Sequence, residues 1–245
     1  MLIVLLPPSE GKAPGGDGPP WAPEAGRFGA ELDSRRTRVV NALRRARGGT
    51  AKQLGARADL LRAAKVANLS VVGAPTLPAH RRFTGVVWDH LGPATLPAAG
   101  RRRAEAGVLV VSALTGLSAW DDPVPDFRLK LSASLPPIGR LAPFWRPTLS
   151  AVLDEHLAGH TVVDLLPEEH RAAWVPAPDR YRLLRPALLT RSGRPAGHGG
   201  KAAKGLLARA LLSSGDVDAT LAAFDPAAQG LVGADDLVLD PDPPD

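Results

Sequence analysis

Two short runs of the sequence are apolar at almost every position, residues 2–6 and residues 108–113. A strand with one face in solvent alternates apolar and polar residues, whereas a strand covered on both faces is apolar throughout. The two runs therefore predict two buried strands. The first run is far too short to span a bilayer and lacks the positive flank of a signal peptide, which leaves a strand as the expected structure.

Hydrophobic spacing and turn residues predict the other elements of the chain. Residues 161–165 and 181–190 favour two further strands, and the Gly- and Pro-rich residues 11–23 favour a loop. Residues 121–137 contain many prolines and should be extended or irregular. The spacing predicts helical segments over residues 33–46, 58–67, 80–91, 148–156 and 202–212.

The first predicted helix has a strongly basic face. Asp33 or Ser34 is a suitable N-cap, because a short polar side chain can accept a hydrogen bond from the first turn. The basic face carries Arg35, Arg36, Arg38, Arg44 and Arg45. If DNA is the partner, we expect the first three of these arginines to contact its phosphates.

Charge is unevenly distributed along the 245 residues. Residues 1–110 contain 17 Lys and Arg against 8 Asp and Glu, whereas residues 216–245 contain 8 Asp and Glu and no Lys or Arg. A basic body favours a polyanionic partner, because Lys and Arg release counterions condensed on phosphates. The alternative is GC-rich coding, which replaces Lys by Arg throughout a chain. We expect one domain over residues 1–232 and an acidic, disordered tail over residues 233–245.

The sequence argues against several classes of site. It contains no cysteine, which excludes disulfides, thiolate zinc sites and cysteine nucleophiles and fits a cytoplasmic protein. Its six histidines lack the spacing of a zinc site, so we expect no metal. Ser9 is not in a nucleophile elbow, which argues against a serine hydrolase.

The leading candidate site directly follows the first strand, in the segment Pro7-Pro8-Ser9-Glu10-Gly11-Lys12. Open α/β sheets build ligand sites at the carboxyl ends of their strands. Ser9 supplies a hydroxyl, Glu10 a carboxylate and Lys12 an ammonium, while Gly11 allows a ligand to approach the backbone. The alternative is a solvated turn with incidental polar residues.

A second candidate cluster spans residues 198–205, before and within the strongest predicted helix. Lys201 and Lys204 are three residues apart and share one face of a helix, whose N-terminal amides also attract anions. The cluster is not a P-loop, because the Gly-Lys-Ser/Thr ending is missing. A Gly-rich turn before an amphipathic helix is the alternative.

A third cluster lies between these two, in residues 120–129 after the second strand. It could place the Asp121 carboxylate and the Arg128 guanidinium at the same edge of the sheet. Asp121 and Asp122 could act as acid and base or bind a cation, although side chains adjacent in sequence usually point apart. A role in a turn or a cap is the alternative.

Together these segments resemble the YaaA family of peroxide stress proteins from residue 1 to about residue 215. Residues 2–12 resemble the family's opening strand and its Pro-Ser-Glu-Thr-Lys motif, and Phe83-Thr84-Gly85 resembles its aromatic-Thr-Gly segment. Residues 112–129 resemble its Ser-x-Leu-x-Gly…Asp…Pro-x-x-Arg-Leu block. Residues 201–205 resemble its late Lys-x-x-Arg/Lys-Gly segment. Gly11 stands where many relatives have Thr.

The resemblance implies a compact α/β domain with a mixed central sheet, flanking helices and a basic cleft. It also implies a role in resistance to hydrogen peroxide, with DNA binding proposed for some members, and no cofactor. We expect a monomer that has no membrane partner and binds either double-stranded DNA or a small phosphate- or nucleobase-like ligand.

Two functions remain open from the sequence. In the first, a basic cleft holds nucleic-acid phosphates; in the second, an enzyme acts on a small nucleobase- or nucleotide-like substrate with Glu10 as general acid or base. The expected catalytic residues are Ser9, Glu10 and Asp121, and the expected ligand-binding residues are Lys12, Thr84, Arg128, Lys201 and Lys204. All of these except Thr84 are expected to converge on one cleft.

Overall fold

A five-stranded sheet lies at the centre of the fold. The structure, a computed structural model, describes residues 1–190, 197–228 and 237–240. Smaller two-stranded sheets lie around the central one. The strands in chain order are β1 (Leu2–Leu6), β2 (Thr76–Pro78), β3 (Val108–Ser112), β4 (Gly116–Ala119), β5 (Pro123–Pro125), β6 (Ser134–Leu135), β7 (Gly139–Arg140), β8 (Thr161–Asp164), β9 (Arg182–Leu184), β10 (Ala187–Thr190) and β11 (Leu237–Asp240).

Strand β1 occupies the middle of the central sheet, whose order is β4-β3-β1-β8-β9. It pairs in parallel with β3 and β8, while β4 runs antiparallel to β3. The two predicted buried strands are confirmed, because every residue of β3 and all but the first of β1 are buried. Since β1 and β8 are parallel neighbours, the segments that follow them leave the sheet at the same edge.

Helices pack around this sheet and confirm the expected mixed α/β class in a single compact domain. Their bounds are α1 (Gly29–Arg45), α2 (Ala51–Leu54), α3 (Ala58–Leu69), α4 (Ala79–Arg82), α5 (Val86–Leu91), α6 (Ala98–Gly107), α7 (Leu141–His156), α8 (Glu168–Arg171), α9 (Gly197–Ser214) and α10 (Val217–Ala223). Helix α6 packs against β1, β3 and α9, whereas α1 packs against α3, α7 and β4.

Helices α5 and α9 approach each other closely at Gly205. A Cβ atom at this position would lie 2.3 Å from the carbonyl oxygen of Val87 and 2.8 Å from the Cβ of His90. Only a glycine therefore allows this approach. The contact fixes α9, and with it Lys201 and Lys204, relative to the central sheet.

Two helices begin earlier than the sequence pattern predicted. Helix α1 begins at Gly29, with Asp33 and Ser34 inside it and no side-chain cap on Phe28, so the predicted N-cap is wrong. Helix α7 begins at Leu141 and contains Pro147. The buried side chains of Leu141 and Trp145 stabilise this first part of α7, which offsets the backbone hydrogen bond that Pro147 cannot make.

The predicted helical segment over residues 80–91 and the predicted strand over residues 181–190 are each divided in two. Phe83-Thr84-Gly85 separates α4 from α5, and Gly85 has a φ of 95° that favours glycine. Strand β9 continues the central sheet beside β8, whereas β10 leaves it after Pro186 and pairs with β11. Pro186 has no N–H to donate to a ladder.

Strand β11 lies within the segment that we expected to be an acidic tail. Its residues pair antiparallel with β10, from Leu237 opposite Thr190 to Asp240 opposite Ala187. Residues 229–236 and 241–245 lie outside the described part of the chain. The domain boundary at residue 232 stays a prediction.

One arginine of the basic face of α1 is buried inside the protein. Arg36 is only 1% exposed, and its guanidinium donates to the carbonyl oxygens of Thr115, Leu117, Pro23 and Ala25 at 2.6–2.9 Å. The expectation that Arg36 reaches DNA is therefore wrong. These four backbone acceptors satisfy the donors of the buried guanidinium, which explains why an arginine is tolerated there.

Candidate functional site

A cavity of about 1050 Å³ opens where the segments that follow β1 and β8 leave the sheet. It is lined by residues from both of these segments, from the start of α5, from residues 128–131 and from the first turns of α9. Seven Lys and Arg side chains line it, against three Glu. We call it the strand-edge cavity.

The structure brings seven of the eight predicted site residues together in the strand-edge cavity. Only Asp121 lies elsewhere. The seven are Ser9, Glu10, Lys12, Thr84, Arg128, Lys201 and Lys204. Their convergence follows from the parallel pairing of β1 with β8 and from the packing of α9 across α5.

Ser9 connects two walls of the cavity. Its hydroxyl oxygen accepts a hydrogen bond from the backbone N–H of Thr84 at 2.9 Å, and the hydroxyl donates to the carbonyl oxygen of Gly11. The first bond holds the loop after β1 against the segment between α4 and α5, and the second lies within the loop. The Ser9 hydroxyl therefore has both a donor and an acceptor partner within the protein. A Cβ at Gly11 would lie 3.1 Å from the Thr84 hydroxyl, so a larger side chain would crowd this contact.

The ammonium group of Lys12 lies in an aromatic slot. Its nitrogen is 4.2 Å from the ring centroid of Phe127 and 5.7 Å from that of Phe83, and it donates to the carbonyl oxygen of Ser9 at 3.0 Å. The residue as a whole keeps some exposure, but protein atoms surround the charged end. This desolvation lowers the pKa of Lys12 to about 8, although the nearby Asp126 opposes the shift.

Lys204 has a corresponding place at the end of β8. Its ammonium donates to the carbonyl oxygens of Leu165 and Leu166 at 3.0 and 3.4 Å. Burial lowers the pKa of Lys204 to about 8, and the positive charge of Arg171 contributes to the decrease. Two desolvated ammonium groups therefore lie at the ends of neighbouring parallel strands.

Glu10 pairs with cations other than Lys12. Its carboxylate lies 3.2 Å from Nη2 of Arg128 and 3.5 Å from Nζ of Lys130. The Arg128 guanidinium also donates to the carbonyl oxygens of Leu54 and Gly55 at 3.2 and 3.1 Å, which anchor it at the cavity wall. Since Glu10 is 65% exposed, its carboxylate can move while Arg128 stays in place.

Three basic residues that follow β8 in the chain line the same cavity but were missed in the sequence: His170, Arg171 and Arg185. Asp164, the fully buried last residue of β8, accepts from Nε of Arg171 at 3.0 Å and lies 3.3 Å from Nε of Arg185. Burial also lowers the pKa of His170, whose Nδ1 has no hydrogen-bond partner among the described residues. Ligand sites in open α/β sheets form at the carboxyl ends of strands. This rule identified the segment after β1, and it could have identified the segment after β8 in the same way.

Lys201 is the exposed member of the α9 cluster. It lies on the first turns of the helix, three residues before Lys204, and both side chains line the strand-edge cavity as their spacing predicts. The side chain of His198, which precedes them in the same cluster, lies outside the described residues.

Asp121 lines a different cavity, of about 800 Å³. Its carboxylate lies 3.2 Å from Nδ1 of His80 and is 58% exposed. Asp122 points elsewhere and accepts hydrogen bonds from the backbone N–H groups of Ala119 and Arg27, both at 2.8 Å. The expectation that Asp121 joins the other six residues of the expected cleft is wrong, because β4 turns back along β3 and carries the chain away from the carboxyl edge.

Within residues 1–190, 197–228 and 237–240, no three His, Asp or Glu side chains are arranged so that they could hold a metal ion. Over the same residues, no helix combines the length and the apolar character needed to cross a membrane.

The residues of the strand-edge cavity come from segments spread between residue 7 and residue 204. The sequence profile of the family described as peroxide stress protein YaaA matches residues 1–225, which include all of these segments. The chain belongs to this family. The YaaA-family match therefore covers the whole lining of the cavity and not a single motif.

Several relatives of this YaaA-family chain are known as UPF0246 proteins. One from Streptomyces coelicolor is 34% identical over 221 residues, which cover 87% of this chain and 84% of the relative. One from Corynebacterium efficiens is 32% identical over 166 residues, which cover 67% and 66%. One from Corynebacterium glutamicum is 33% identical over 135 residues, which cover 55% and 53%. Family membership supports an association with peroxide stress.

Proposed function

We propose that this YaaA-family protein binds a phosphate-bearing, nucleotide-like ligand in the strand-edge cavity as part of the response to peroxide. The observation that carries the proposal is the pair of desolvated ammonium groups on Lys12 and Lys204. Among the described residues, no carboxylate oxygen lies within 4.0 Å of either nitrogen. An anion in the cavity would supply the missing partner.

Lys12 and Lys204 each carry an ammonium group that is largely withdrawn from water. Taking an ammonium out of water is unfavourable unless a charged or strongly polar partner replaces the water. Among the described residues, both ammonium groups donate hydrogen bonds only to backbone carbonyls, and an aromatic ring faces that of Lys12; these partners compensate a full positive charge incompletely. A phosphate provides several acceptor oxygens and a negative charge, and would stabilise both lysines in their protonated form.

The size and the other residues of the cavity support a nucleotide-like ligand. Ligand pockets for small molecules usually enclose roughly 300–1,000 Å³, and this cavity encloses about 1050 Å³. Arg128, Lys130 and Lys201 add further cations beside the two enclosed ammonium groups. The ligand could be a free nucleotide or one nucleotide of a nucleic-acid strand.

An enzyme acting on the same ligand is a second candidate function. The observation that favours it is the presence of Glu10 and Lys12 in one cavity, where a carboxylate and an amine of lowered pKa can exchange protons with a substrate. Binding and catalysis would use the same residues. The binding proposal is therefore tested first.

A salt titration distinguishes a cavity from a surface that binds duplex DNA. We expect a nucleoside monophosphate to bind saturably, with an affinity that falls only modestly between 50 and 300 mM salt. Binding of duplex DNA on an open surface would fall with a log–log slope of about −0.9 for each phosphate neutralised. Tight duplex binding together with no measurable binding of the monophosphate would contradict the proposal.

A further inference from the structure

The strand-edge cavity is unusually rich in lysine for this chain. The sequence contains 24 arginines and only six lysines. Lysine accounts for four of the seven Lys and Arg residues that line the cavity, but for two of the 21 others that the structure describes. The four are Lys12, Lys130, Lys201 and Lys204.

The difference between the two residue types suggests what the cavity requires. Arginine holds phosphate through a planar fork and keeps its proton in proteins, whereas lysine can lose its proton and act as a nucleophile. Although arginine occupies most basic positions of this chain, lysine is the residue found beside the ends of both β1 and β8. Charge alone does not account for this choice, because arginine supplies the same charge.

Lys12 has the surroundings of an amine that reacts with carbonyl groups. Its nitrogen faces the ring of Phe127 at 4.2 Å, and within the part of the chain that the structure describes it gives only one hydrogen bond, to a backbone carbonyl. Loss of a proton from the Lys12 ammonium therefore sacrifices little hydrogen bonding. The neighbouring Arg128 is anchored by backbone carbonyls and faces the same cavity, where it can hold a phosphate beside the amine.

We propose that Lys12 forms an imine with the carbonyl carbon of a phosphate-bearing aldehyde held in the strand-edge cavity. The inference rests on the proposed function: with this ligand Lys204, Arg128 and Lys130 hold the phosphate, and Lys12 faces the aldehyde carbon instead of the phosphate. Two sources share this chemistry: a small phosphorylated aldehyde, and the ring-opened sugar of an abasic nucleotide in a nucleic acid.

The reaction balances without an oxidant or reductant. The lone pair of the neutral Lys12 amine attacks the aldehyde carbon, an N–C bond forms, and a proton moves from nitrogen to oxygen to give a carbinolamine. The C–O bond then breaks, the hydroxyl leaves with the remaining proton of the nitrogen, and one water is released. The product is an imine between Lys12 and the former carbonyl carbon.

The burial of Lys12 makes this step feasible near neutral pH. With a pKa of about 8, half of the Lys12 side chains are neutral at pH 8. An ordinary lysine with a pKa near 10.4 is less than about 1% neutral at that pH. Lys52 is exposed and lies outside the cavity, which makes it an internal reference.

The test uses pyridoxal 5′-phosphate as the probe, with borohydride to reduce the imine to a stable secondary amine. After digestion, mass spectrometry compares the label on each of the six lysines in the same sample. We expect Lys12 to be labelled at least tenfold faster than Lys52 and faster than Lys204 at pH 8, with protection by inorganic phosphate. The rate at Lys12 should level off above pH 8, whereas the rate at Lys52 should continue to rise.

Each result has a defined meaning. Labelling of Lys12 no faster than Lys52, with saturable binding of the probe retained, would overturn the imine and leave the proposed function standing. Equal labelling of Lys12 by pyridoxal, which lacks the phosphate, would support the amine and contradict the proposed function. No binding and no labelling would contradict both.

A second arm identifies the source of the aldehyde. Single-stranded DNA with one abasic site is incubated with the protein and cyanoborohydride, and a covalent complex is sought on a denaturing gel. Trapping at Lys12 that is lost in Lys12→Arg, a variant that keeps the charge, would assign the source to nucleic acid. Labelling by the small probe without trapping of the DNA would assign it to a free phosphorylated aldehyde.

Discussion

At the scale of single residues, Glu10 is the carboxylate that lies among the cations of the strand-edge cavity. It is paired with Arg128 and Lys130, so it competes with any incoming phosphate for the same two groups. We expect Glu10→Gln to raise the affinity for a nucleoside monophosphate by roughly 3–10-fold, since a repelling charge is removed. Isothermal titration calorimetry measures this change.

The control for Glu10→Gln is Glu155→Gln, which removes an exposed carboxylate on α7, outside the cavity. We expect neither substitution to change the melting temperature much, because exposed ion pairs contribute little to stability. A lower affinity in Glu10→Gln would mean that the carboxylate orders the cations instead of competing for them.

The lowered pKa of Lys12 makes stability depend on pH with a definite sign. The folded protein releases the Lys12 proton near pH 8, whereas the unfolded chain holds it until about pH 10.5. Between these values the unfolded state binds more protons, so the folded state gains stability as the pH rises. The variant Lys12→Met lacks this titratable group, so this contribution to the pH dependence of stability is absent from it.

We therefore expect the free energy of unfolding of the parent protein, relative to Lys12→Met, to rise by on the order of 2 kcal/mol between pH 7 and pH 9.5. Urea denaturation at several pH values measures the difference. Lys52→Met is the matched control and should show no such change, since that side chain is exposed. A pH-independent difference between the parent and Lys12→Met would show that the ammonium is hydrated.

At the scale of secondary-structure elements, the contact between α5 and α9 holds two of the cavity lysines in place. A methyl group at Gly205 would lie 2.3 Å from the Val87 carbonyl oxygen, so α9 must move away from α5. We expect Gly205→Ala to lower the free energy of unfolding by about 1–3 kcal/mol through overpacking. It should also weaken ligand binding, because Lys201 and Lys204 move with α9.

Gly100→Ala in α6 is the matched control for Gly205→Ala. Its methyl group would lie 3.3 Å from its nearest neighbour, the carbonyl oxygen of Leu212. The gain in helix propensity, about 1 kcal/mol, should offset this milder contact. Thermal denaturation and ligand titration compare the two variants. Unchanged stability in Gly205→Ala would mean that the two helices tolerate a larger separation.

The elements also show how far the site could be predicted from the sequence. Ser9 and Lys12 were found because a buried apolar run ends just before them, and Lys201 and Lys204 because of their helical spacing. Asp121 was misplaced because β4 runs back along β3, so that Ala119 lies opposite Leu109 near the start of that strand. A four-residue antiparallel strand with little alternation leaves no clear pattern in the sequence.

At the scale of the whole molecule, the buried arginines were the features least visible in the sequence. A basic residue on a helix is usually solvated, and only the carbonyl groups that surround Arg36 show that it belongs to the interior. Those carbonyl groups come from residues distant in the chain. The family resemblance, in contrast, extended over the chain and identified the fold class correctly.

The central claim is that the enclosed lysines of the strand-edge cavity bind phosphate, and not the arginines on the outside of α1. Arg35 and Arg38, whose guanidinium groups lie over the Phe144 ring at 4.7 and 4.9 Å, form that alternative surface. The two surfaces can be removed separately by paired substitutions that each delete two positive charges. The pairs are Lys12→Met with Lys204→Met, and Arg35→Ala with Arg38→Ala.

The most direct measurement is the affinity of a nucleoside monophosphate for the parent and for both double variants at about 150 mM salt, with folding checked by circular dichroism. The account predicts a loss of at least tenfold in the lysine double variant and a change of less than twofold in the arginine double variant. Equal affinity of the parent and the folded lysine variant, or a loss confined to the arginine variant, would contradict it.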